Sequence, residues 1–479
     1  MSLLLNLAVL ASLVVYPTPK QARVSETAYH PLERVIISCP DPEAVRWAGR
    51  HLEEWYGEFS PKVEKGSSVR VPEGKEAYCL QMEKSAVRVK ASTLQGIRYG
   101  LYSLRQLAIP ERGTETVQGW IVPEGEIDDS PSMDFRGIHI CWFRENESWE
   151  IERFIRLAAY YKLNYAVIEP WGTYRSESAP WLSWPDAQMT KEEIARLRAI
   201  ADDLGITLIP QFNMFGHATQ ARTGASKHAV LDIAPQYQPL FEPEGGWTWC
   251  LSNPHTRELL LSVIDEMMED FGNPPYFHIG FDEAEAPSCP ECIKRPYRQL
   301  FLEHVEALAG ELHKKGATAM MWHDMLLRGG DPRWSGLVAS GTEDTAAAAA
   351  SIPGDIVICD WYYDDPRDSY PSLEYFKGLG HPVLTCPWLN VGGIKAQAAA
   401  VRTYGIDGML GTLWHHYFGY DMENVFYYLS GCAWNPDNVP GLRRLLFATH
   451  LRQIGWDMGN TDPVHAGTRH LDIAPQPGF

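Results

Sequence analysis

Residues 276–283 read Tyr276-Phe277-His278-Ile279-Gly280-Phe281-Asp282-Glu283, a short apolar run that ends in two adjacent carboxylates. A run of this length and apolarity is typical of a strand buried in a parallel sheet. Burying an ionised carboxylate without a partner is costly, so a strand that ends in two of them is expected to reach a pocket. The stretch therefore predicts a buried strand that delivers Asp282 and Glu283 to a site of acid chemistry.

Similar apolar runs alternate with helical patterns over the middle and end of the chain. The predicted strands are Asp134–Ile140, Tyr165–Glu169, Thr207–Phe212, Tyr276–Gly280, Thr318–Trp322, Ile356–Asp360, Val383–Cys386 and Gly408–Trp414. The predicted helices include Glu150–Tyr161, Lys191–Asp203, Thr256–Asp270, Tyr297–Lys315 and Ile394–Tyr404, with Thr190 and Glu193 spaced as a capping box. Strand-then-helix units in this number predict an α/β fold, a closed (β/α)8 TIM barrel.

Residues 1–130 have a different pattern and predict a small α+β domain. Strands are expected at Arg34–Ser38 and within Ala77–Val89, and helices at Pro42–Tyr56 and Thr93–Leu107. The turn-rich stretch Pro123–Pro131 marks the boundary with the barrel. We assign the barrel to residues 131–440 and expect residues 441–479 to form a tail that packs on it.

Composition limits the possible partners and the location. The 61 Asp and Glu against 42 Lys and Arg give a net charge of -19, which argues against nucleic acid or an anionic membrane as a partner. Nine scattered Cys fit reduced thiols and a cytoplasmic location. The apolar segment Leu3–Val15 keeps secretion open as an alternative. No later segment approaches the roughly 20 apolar residues of a membrane span.

Polar and aromatic side chains gather where the predicted strands end. In a parallel barrel these ends meet at one edge, so the side chains there are expected to line a common pocket. The residues are Glu169, Asn213, His217, Asp282, Glu283, Trp322, Asp324, Asp360, Trp361, Trp388, Asn390, Trp414, His415 and His416.

Adjacent carboxylates limit the chemistry of that pocket. Glycosidases with two catalytic carboxylates hold them on different strands, about 5 Å apart or about 6.5–9.5 Å apart. Neighbouring residues fit neither spacing and favour a substrate that supplies its own nucleophile. A two-glutamate glycosidase using Glu169 and Glu283 remains an alternative.

Three motifs and one helix resemble glycoside hydrolase family 20, the β-N-acetylhexosaminidases. The run His278–Glu283 is similar to the family's His-x-Gly-Gly-Asp-Glu signature, Arg136-Gly137 to its Arg-Gly pair, and Gly216-His217 to its Gly-His pair. Thr93–Leu107 resembles the closing helix of the family's N-terminal domain, and the resemblance covers Tyr16–Trp434. It implies an exo-acting, retaining, substrate-assisted enzyme that removes terminal β-linked GlcNAc or GalNAc.

The resemblance also implies residue roles. Glu283 would act as general acid and then as base, while Asp282 would orient the substrate's acetamido group and stabilise the oxazolinium ion formed from it. Arg136 would hold sugar hydroxyls, and His217 would join the pocket. The residues implied as aromatic walls around the acetamido methyl are Trp322, Trp361 and Trp414. His278 is assigned either to the pocket or to support beneath it.

Three departures from the family pattern bear on binding. Phe281 replaces the second glycine of the signature. Trp388 and Asn390 stand in a Trp-Leu-Asn sequence where the family has Tyr-Leu-Asp or Tyr-Leu-Asn. The donor to the acetamido oxygen would then be Trp388, Tyr362 or Tyr363. His416 replaces a glutamate that binds distal hydroxyls, so preference for the gluco or galacto configuration does not carry over.

The implied reaction requires no cofactor and no metal. Cys289 and Cys292 nevertheless have zinc-ligand spacing, and Cys250 or a His is a candidate to join them. A carbohydrate-binding protein on a degenerate barrel is the main non-enzymatic alternative, and a homodimer is a possible assembly. The expected partner is a glycan or glycoconjugate that carries a terminal N-acetylhexosamine.

Overall fold

A computed structural model describes residues 15–67, 72–112, 117–218, 231, 234–243, 245–414 and 420–456. They form two compact units. The first contains residues up to Asp134, Ala159–Lys162 and the residues from Ser430 onward, and the second contains Phe135–Ala158 and Leu163–Leu429. Within these described ranges, no helix is long and apolar enough to cross a lipid bilayer.

The first unit contains a mixed sheet covered by helices. Its strands are β1 (Gln21–Pro31), β2 (Arg34–Ser38), β3 (Lys62–Lys65), β4 (Tyr78–Glu83), β5 (Ala86–Ala91), β6 (Ile109–Arg112) and β7 (Val117–Asp129), and its first helices are α1 (Glu43–Tyr56) and α2 (Leu94–Leu107). The strand order is β1-β7-β4-β5-β2-β3, with β6 on β7. Helix α2 begins at Thr93, whose side chain accepts from the Gly96 amide, and packs on β4 and β5.

The second unit is a parallel barrel. Its strands are β8 (Phe135–Trp142), β9 (Tyr165–Pro170), β10 (Thr207–Pro210), β11 (Tyr276–His278), β12 (Thr318–Trp322), β13 (Val357–Tyr362), β14 (Val383–Pro387) and β15 (Gly408–Gly411). Hydrogen-bonded neighbours run β10-β9-β8-β15-β14-β13-β12-β11. A bridge between Gln211 and His278 closes the ring, with the Phe212 amide 3.0 Å from the His278 carbonyl oxygen.

Helices follow the strands along the chain. They are α3 (Ser148–Tyr160), α4 (Lys191–Leu204), α5 (Pro254–Asp270), α6 (Tyr297–Lys314), α7 (Glu343–Ala348), α8 (Pro371–Gly378), α9 (Val391–Tyr404), α10 (Tyr420–Trp434) and α11 (Arg444–Gln453). The predicted capping box of α4 is present: the Thr190 side chain accepts from the Glu193 amide at 3.1 Å, and the Thr190 amide donates to Glu193 at 2.9 Å.

Alternation along the strands decides which side chains fill the barrel. On β13, Val357, Cys359 and Trp361 face the interior, so Asp360 and Tyr362 face the helices. The interior is packed by Phe135, Val167, Ile209, Met320, Trp322, Val357, Cys359, Leu384, Cys386 and Leu410. The site must therefore lie above this layer, at the carboxyl ends of the strands.

The predicted fold class is confirmed: a TIM barrel follows an α+β domain. The strand prediction Thr318–Trp322 matches β12, whereas Gly408–Trp414 is too long because β15 ends at Gly411. The assignment of residues 441–479 to the barrel surface stays a prediction. In the described part of that segment, Gln453 bonds Arg105 and Tyr160 of the first unit, and residues 457–479 lie outside the described chain.

Candidate active site

The acid loop, residues 279–292, begins with an unusual backbone. Gly280 has φ 71°, and the non-glycine residues Phe281 and Glu283 have φ 86° and 49°. Positive φ at a non-glycine residue costs on the order of 1–3 kcal/mol and persists only where packing enforces it. The Phe281 ring supplies that packing, since it is buried against Phe215 and Phe301. The ring that replaces the signature's second glycine therefore packs beside helix α6.

Glycines allow this loop to lie close to its neighbour. A Cβ on Gly280 would sit 2.1 Å from Asn213 Oδ1, and one on Gly216 would sit 2.0 Å from the Asp282 carbonyl oxygen. The Asp282 carbonyl oxygen is a backbone atom and cannot move without shifting the acids, and the Asn213 side chain is held by its bond to Glu169. The close approach of the two loops thus requires glycine at position 216.

One histidine contacts both acids. His217 Nε2 lies 3.1 Å from Asp282 Oδ2 and 3.2 Å from Glu283 Oε2, and its ring packs on Trp247 at 4.0 Å. The Asp282 side chain is 10% exposed and the Glu283 side chain 33% exposed. Two adjacent carboxylates thus face one point of the pocket, and Glu283 is the one open to solvent.

Asp324 is a third buried acid in the site. Its Oδ2 accepts the Glu283 amide at 2.9 Å, and its Oδ1 lies 3.4 Å from Trp361 Nε1. Burial, followed by the nearby charge of Asp282, raises the pKa of Asp324 to about 6. The sequence placed Asp324 after a strand but gave it no role, because its partner is a backbone amide on a distant loop.

Five aromatic residues form a cluster beside the acids. The aromatic cluster consists of Trp322, Trp361, Tyr363, Trp388 and Trp414. The Tyr363 ring lies 4.9 Å from that of Trp361 and 5.3 Å from that of Trp388, and its hydroxyl accepts from Trp414 Nε1 at 2.9 Å. The structure therefore brings together all the tryptophans predicted for the pocket.

Trp322 is the innermost member of the cluster. It is 1% exposed and packs on His278 and His139, with ring centroids 4.3 and 5.7 Å away. His278 is buried, and its Nδ1 accepts the Gly280 amide at 3.1 Å. Of its two predicted placements, the structure gives His278 the supporting one, beneath Trp322 and the acid loop.

Tyr363, and not Tyr362, belongs to the pocket. Its ring contacts those of Trp361 and Trp388 in the aromatic cluster, and burial raises the pKa of Tyr363 well above its ordinary value. Tyr362 instead packs on Tyr370, 5.7 Å away between ring centroids, and on Arg367. The inclusion of Tyr362 among the binding residues was wrong, because strand alternation turns it toward the helices.

Arg136 does not reach the site. It is fully buried and is the second residue of the eight-residue strand β8. Six further residues separate it from the carboxyl end of the strand, a length of about 20 Å. The prediction that it binds sugar hydroxyls was therefore wrong. Arg144, two residues beyond the strand, is the arginine at that edge; its side chain is 43% exposed and bonds Asp186 at 3.2 Å.

Asn390 is occupied elsewhere, and His416 is outside the described residues. The Asn390 side chain caps α9 by accepting the Gly393 amide at 3.0 Å and donates to Asp365 at 3.2 Å. Its predicted binding role is thus replaced by a capping role, which the following Gly392-Gly393 and helical pattern could have indicated.

Glu169 cannot serve as a second catalytic carboxylate. It is 1% exposed, and its oxygens bond His139 Nε2 at 2.7 Å and Asn213 Nδ2 at 2.8 Å. Asn213 in turn accepts from Trp249 Nε1 through its carbonyl oxygen at 2.8 Å. This closed network fixes the loop after β10 and leaves no face of Glu169 for a ligand.

We expect Asp324→Asn to change the pH dependence of stability. A carboxyl with a pKa of about 6 when folded, against 3.8 ordinarily, favours the fold below about pH 4, and this contribution is lost as the pH rises through about 6. The loss amounts to about 3 kcal/mol. The variant cannot titrate, so its free energy of unfolding relative to wild type should rise between about pH 4 and about pH 7.

Urea unfolding at the two pH values measures this difference. The charged groups that face Asp324 are Asp282, Glu283 and His323. The substitution changes none of them. A stability difference between variant and wild type that is the same at both pH values would contradict the raised pKa.

The barrel, its acid loop and its aromatic cluster match a known class. Residues 145–427 match the catalytic domain of glycosyl hydrolase family 20, and residues 13–130 match domain 2 of the same family. The chain therefore belongs to glycosyl hydrolase family 20.

Particular relatives agree with this assignment. The chain is 26% identical over 467 residues to a beta-hexosaminidase of Porphyromonas gingivalis, a match that covers 86% of this chain and 57% of the relative. A beta-hexosaminidase of Akkermansia muciniphila is 23% identical over 278 residues, 52% of this chain and 55% of the relative. The chain thus spans a little over half the length of these curated relatives.

Solved structures share the fold. A beta-N-acetylhexosaminidase from Bacteroides fragilis superposes with a TM-score of 0.66 at 21% identity, covering 92% of this chain and 95% of that one. A chitobiase of Flavobacterium johnsoniae gives a TM-score of 0.67 at 18% identity, covering 92% of this chain and 73% of that one.

Proposed function

We propose that this chain is an exo-acting β-N-acetylhexosaminidase that removes terminal β-linked GlcNAc or GalNAc with retention of configuration. The observation that carries the proposal is the pair of adjacent carboxylates, both within 3.2 Å of His217 Nε2, at the carboxyl edge of the barrel. Relatives named as beta-hexosaminidases in two organisms support the same activity.

The adjacent carboxylates suit a substrate whose own acetamido oxygen attacks its anomeric carbon. Asp282 and Glu283 are joined by one peptide bond and share a histidine, so they do not flank a sugar from opposite faces as the carboxylates of a two-carboxylate glycosidase do. Glu169, the other candidate, is fully bonded and buried. We therefore assign the nucleophile to the acetamido oxygen of the substrate.

The exposures of the two acids assign their roles. Glu283, the more exposed, protonates the departing oxygen and then takes a proton from water. Asp282, the more buried, accepts the acetamido N–H and stabilises positive charge as the oxazolinium ring forms. His217 and Asp324 keep both carboxyls aimed at the pocket. The aromatic cluster, in which Trp322 is buried and the other four rings are partly exposed, would exclude water and hold the acetamido oxygen near the anomeric carbon.

Tyr363 is our candidate donor to the acetamido oxygen. Its oxygen accepts from Trp414 Nε1 at 2.9 Å, so the phenolic hydrogen is directed either to the neighbouring Thr412 side chain or to a ligand. Tyr363→Phe should lower kcat/KM for a nitrophenyl 2-acetamido-2-deoxy-β-glucoside by about 10²–10³, as loss of one such donor does elsewhere. Tyr362→Phe, the neighbouring control, should leave it unchanged. A larger loss from the control would reverse the assignment.

Hydrolysis of three nitrophenyl glycosides tests the proposed activity. The 2-acetamido-β-glucoside and the 2-acetamido-β-galactoside should release nitrophenol, and their ratio gives the sugar preference. The plain β-glucoside should be inert, because it lacks the internal nucleophile. Equal rates on the plain glucoside would contradict substrate assistance, and no turnover of any of the three would favour the carbohydrate-binding alternative.

A further inference from the structure

Three cysteines and one glutamate meet where the end of the acid loop lies against a neighbouring hairpin. Glu242, Cys250, Cys289 and Cys292 are all buried, and one ligand atom from each lies within 4.8 Å of the others. Glu242 and Cys250 come from a hairpin of Leu240–Glu242 and Thr248–Cys250, in which the Glu242 amide bonds the Thr248 carbonyl oxygen at 2.8 Å and the Cys250 amide bonds that of Leu240 at 2.9 Å. Neither the proposed reaction nor the aromatic cluster uses these residues.

The sulfur atoms are spaced as zinc ligands are. Cys250 Sγ lies 3.5 Å from Cys289 Sγ and 3.7 Å from Cys292 Sγ. Tetrahedral zinc with Zn–S bonds of about 2.3 Å requires sulfurs about 3.8 Å apart. The Cys292 amide also donates to Cys289 Sγ at 3.2 Å, a bond that stabilises sulfur in its negative, metal-binding form.

Glu242 supplies a fourth ligand atom that nothing else uses. Its Oε2 accepts the amides of Ser288 and Cys289, each at 2.7 Å, which fixes the carboxylate against the acid loop. The residue is only 2% exposed, so its Oε1 is shielded from water, and this atom has no hydrogen-bond partner within the described ranges. An unpartnered carboxylate oxygen in the interior is strongly disfavoured unless a cation meets it.

We propose that Glu242, Cys250, Cys289 and Cys292 bind one structural zinc ion. Three thiolates and one carboxylate oxygen complete a tetrahedral shell with no position left for water, as in zinc sites that stabilise a fold. The Cys-x-x-Cys turn supplies two of the ligands, and the hairpin supplies the other two. This assignment does not depend on the proposed glycosidase activity.

The zinc ion would tie the hairpin to the acid loop. Between Glu242 and Cys250 the same segment carries Trp247, whose Nε1 donates to the Glu283 carbonyl oxygen at 2.7 Å. Thr248 Oγ1 accepts the Glu285 amide at 2.9 Å. The metal thus holds the segment that positions the proposed general acid, and it takes no part in bond cleavage.

Zinc content of the purified full-length protein tests the site. Mass spectrometry of metals after dialysis against metal-free buffer should find about one zinc per chain in wild type. Cys292→Ser should reduce it at least about tenfold, and Cys39→Ser, a partly exposed cysteine outside the cluster, should leave it unchanged. Wild type without metal, or equal zinc in the Cys292 variant, would overturn the proposal.

A second set of variants separates loss of the metal ligand from failure to fold. Glu242→Cys would convert the shell to four thiolates and should retain zinc. Glu242→Gln should bind zinc at least about tenfold more weakly than wild type. Cobalt loaded into the wild type should show thiolate-to-metal charge-transfer absorption that the Cys292 variant lacks. A disulfide between two of these cysteines in the native protein, detected by peptide mass spectrometry, would also overturn the assignment.

Discussion

Glu283→Gln is expected to lower kcat/KM for 2-acetamido-2-deoxy-β-glycosides by about 10²–10⁴, the usual contribution of a general acid. The amide keeps the size of the side chain and can still contact His217, which lies 3.2 Å from Glu283 Oε2. It cannot deliver a proton to the departing oxygen. The expected loss therefore reflects proton transfer alone and not a rearranged pocket.

The leaving group provides the check on this prediction. A dinitrophenolate leaves without a proton, so the Glu283 variant should hydrolyse a dinitrophenyl substrate almost as fast as wild type in the first step. A natural disaccharide, whose sugar alcohol is a poor leaving group, should show the full loss. A deficit of the same size on both substrates would mean that Glu283 acts in some other way.

Asp282→Asn is expected to lower kcat by about 10²–10³, the usual effect of removing one electrostatic contact to a developing charge. Asp282 is nearly buried, and His217 lies 3.1 Å from its Oδ2, so its negative charge acts in a pocket with little water to screen it. The neutral amide still accepts a hydrogen bond but no longer opposes the positive charge of the oxazolinium ion.

This second loss should differ in kind from the first. It should be of similar size for good and poor leaving groups, because the acetamido oxygen bonds to the anomeric carbon as the glycosidic bond breaks, and the positive charge that Asp282 stabilises develops in that step whichever group leaves. Stability measured by urea unfolding serves as the control for folding. A loss for Asp282→Asn that disappears with a dinitrophenyl substrate would assign proton transfer to Asp282 instead.

The barrel was predictable because it is encoded locally. Apolar runs such as Thr318–Trp322 stand between helices with visible caps, and strand β12 matches the prediction residue for residue. The long strands β1 and β7 of the first unit were missed. Their burial alternates irregularly and includes many exposed residues, so neither strand has the apolar pattern that reveals a core strand.

The site was only partly predictable because its geometry depends on contacts between distant loops. Asp282, Glu283 and His217 follow strands and could be placed at one edge. Arg136 could have been rejected from the sequence, since it is the third residue of the predicted strand Asp134–Ile140 and therefore lies near the amino end of that strand. The role of Asp324 was not predicted, because its partner is the backbone amide of a residue 41 positions away in the sequence.

The cysteine cluster shows the same limit. Cys289 and Cys292 have a recognisable spacing, whereas Glu242 precedes them by about 50 residues and has no motif of its own. Only the fold of the hairpin places its carboxylate beside the three sulfur atoms.

The central claim is that the acetamido oxygen of the substrate is the nucleophile, in a group that Asp282 orients through its N–H. A fluorinated substrate series tests it most directly. Nitrophenyl glycosides with none, one, two or three fluorines on the acetamido methyl group keep the leaving group constant while the carbonyl oxygen becomes a weaker nucleophile. The account predicts that log kcat/KM falls steeply and steadily with each fluorine in wild type. A flat series would contradict it, because an enzyme nucleophile would not sense the acetamido group.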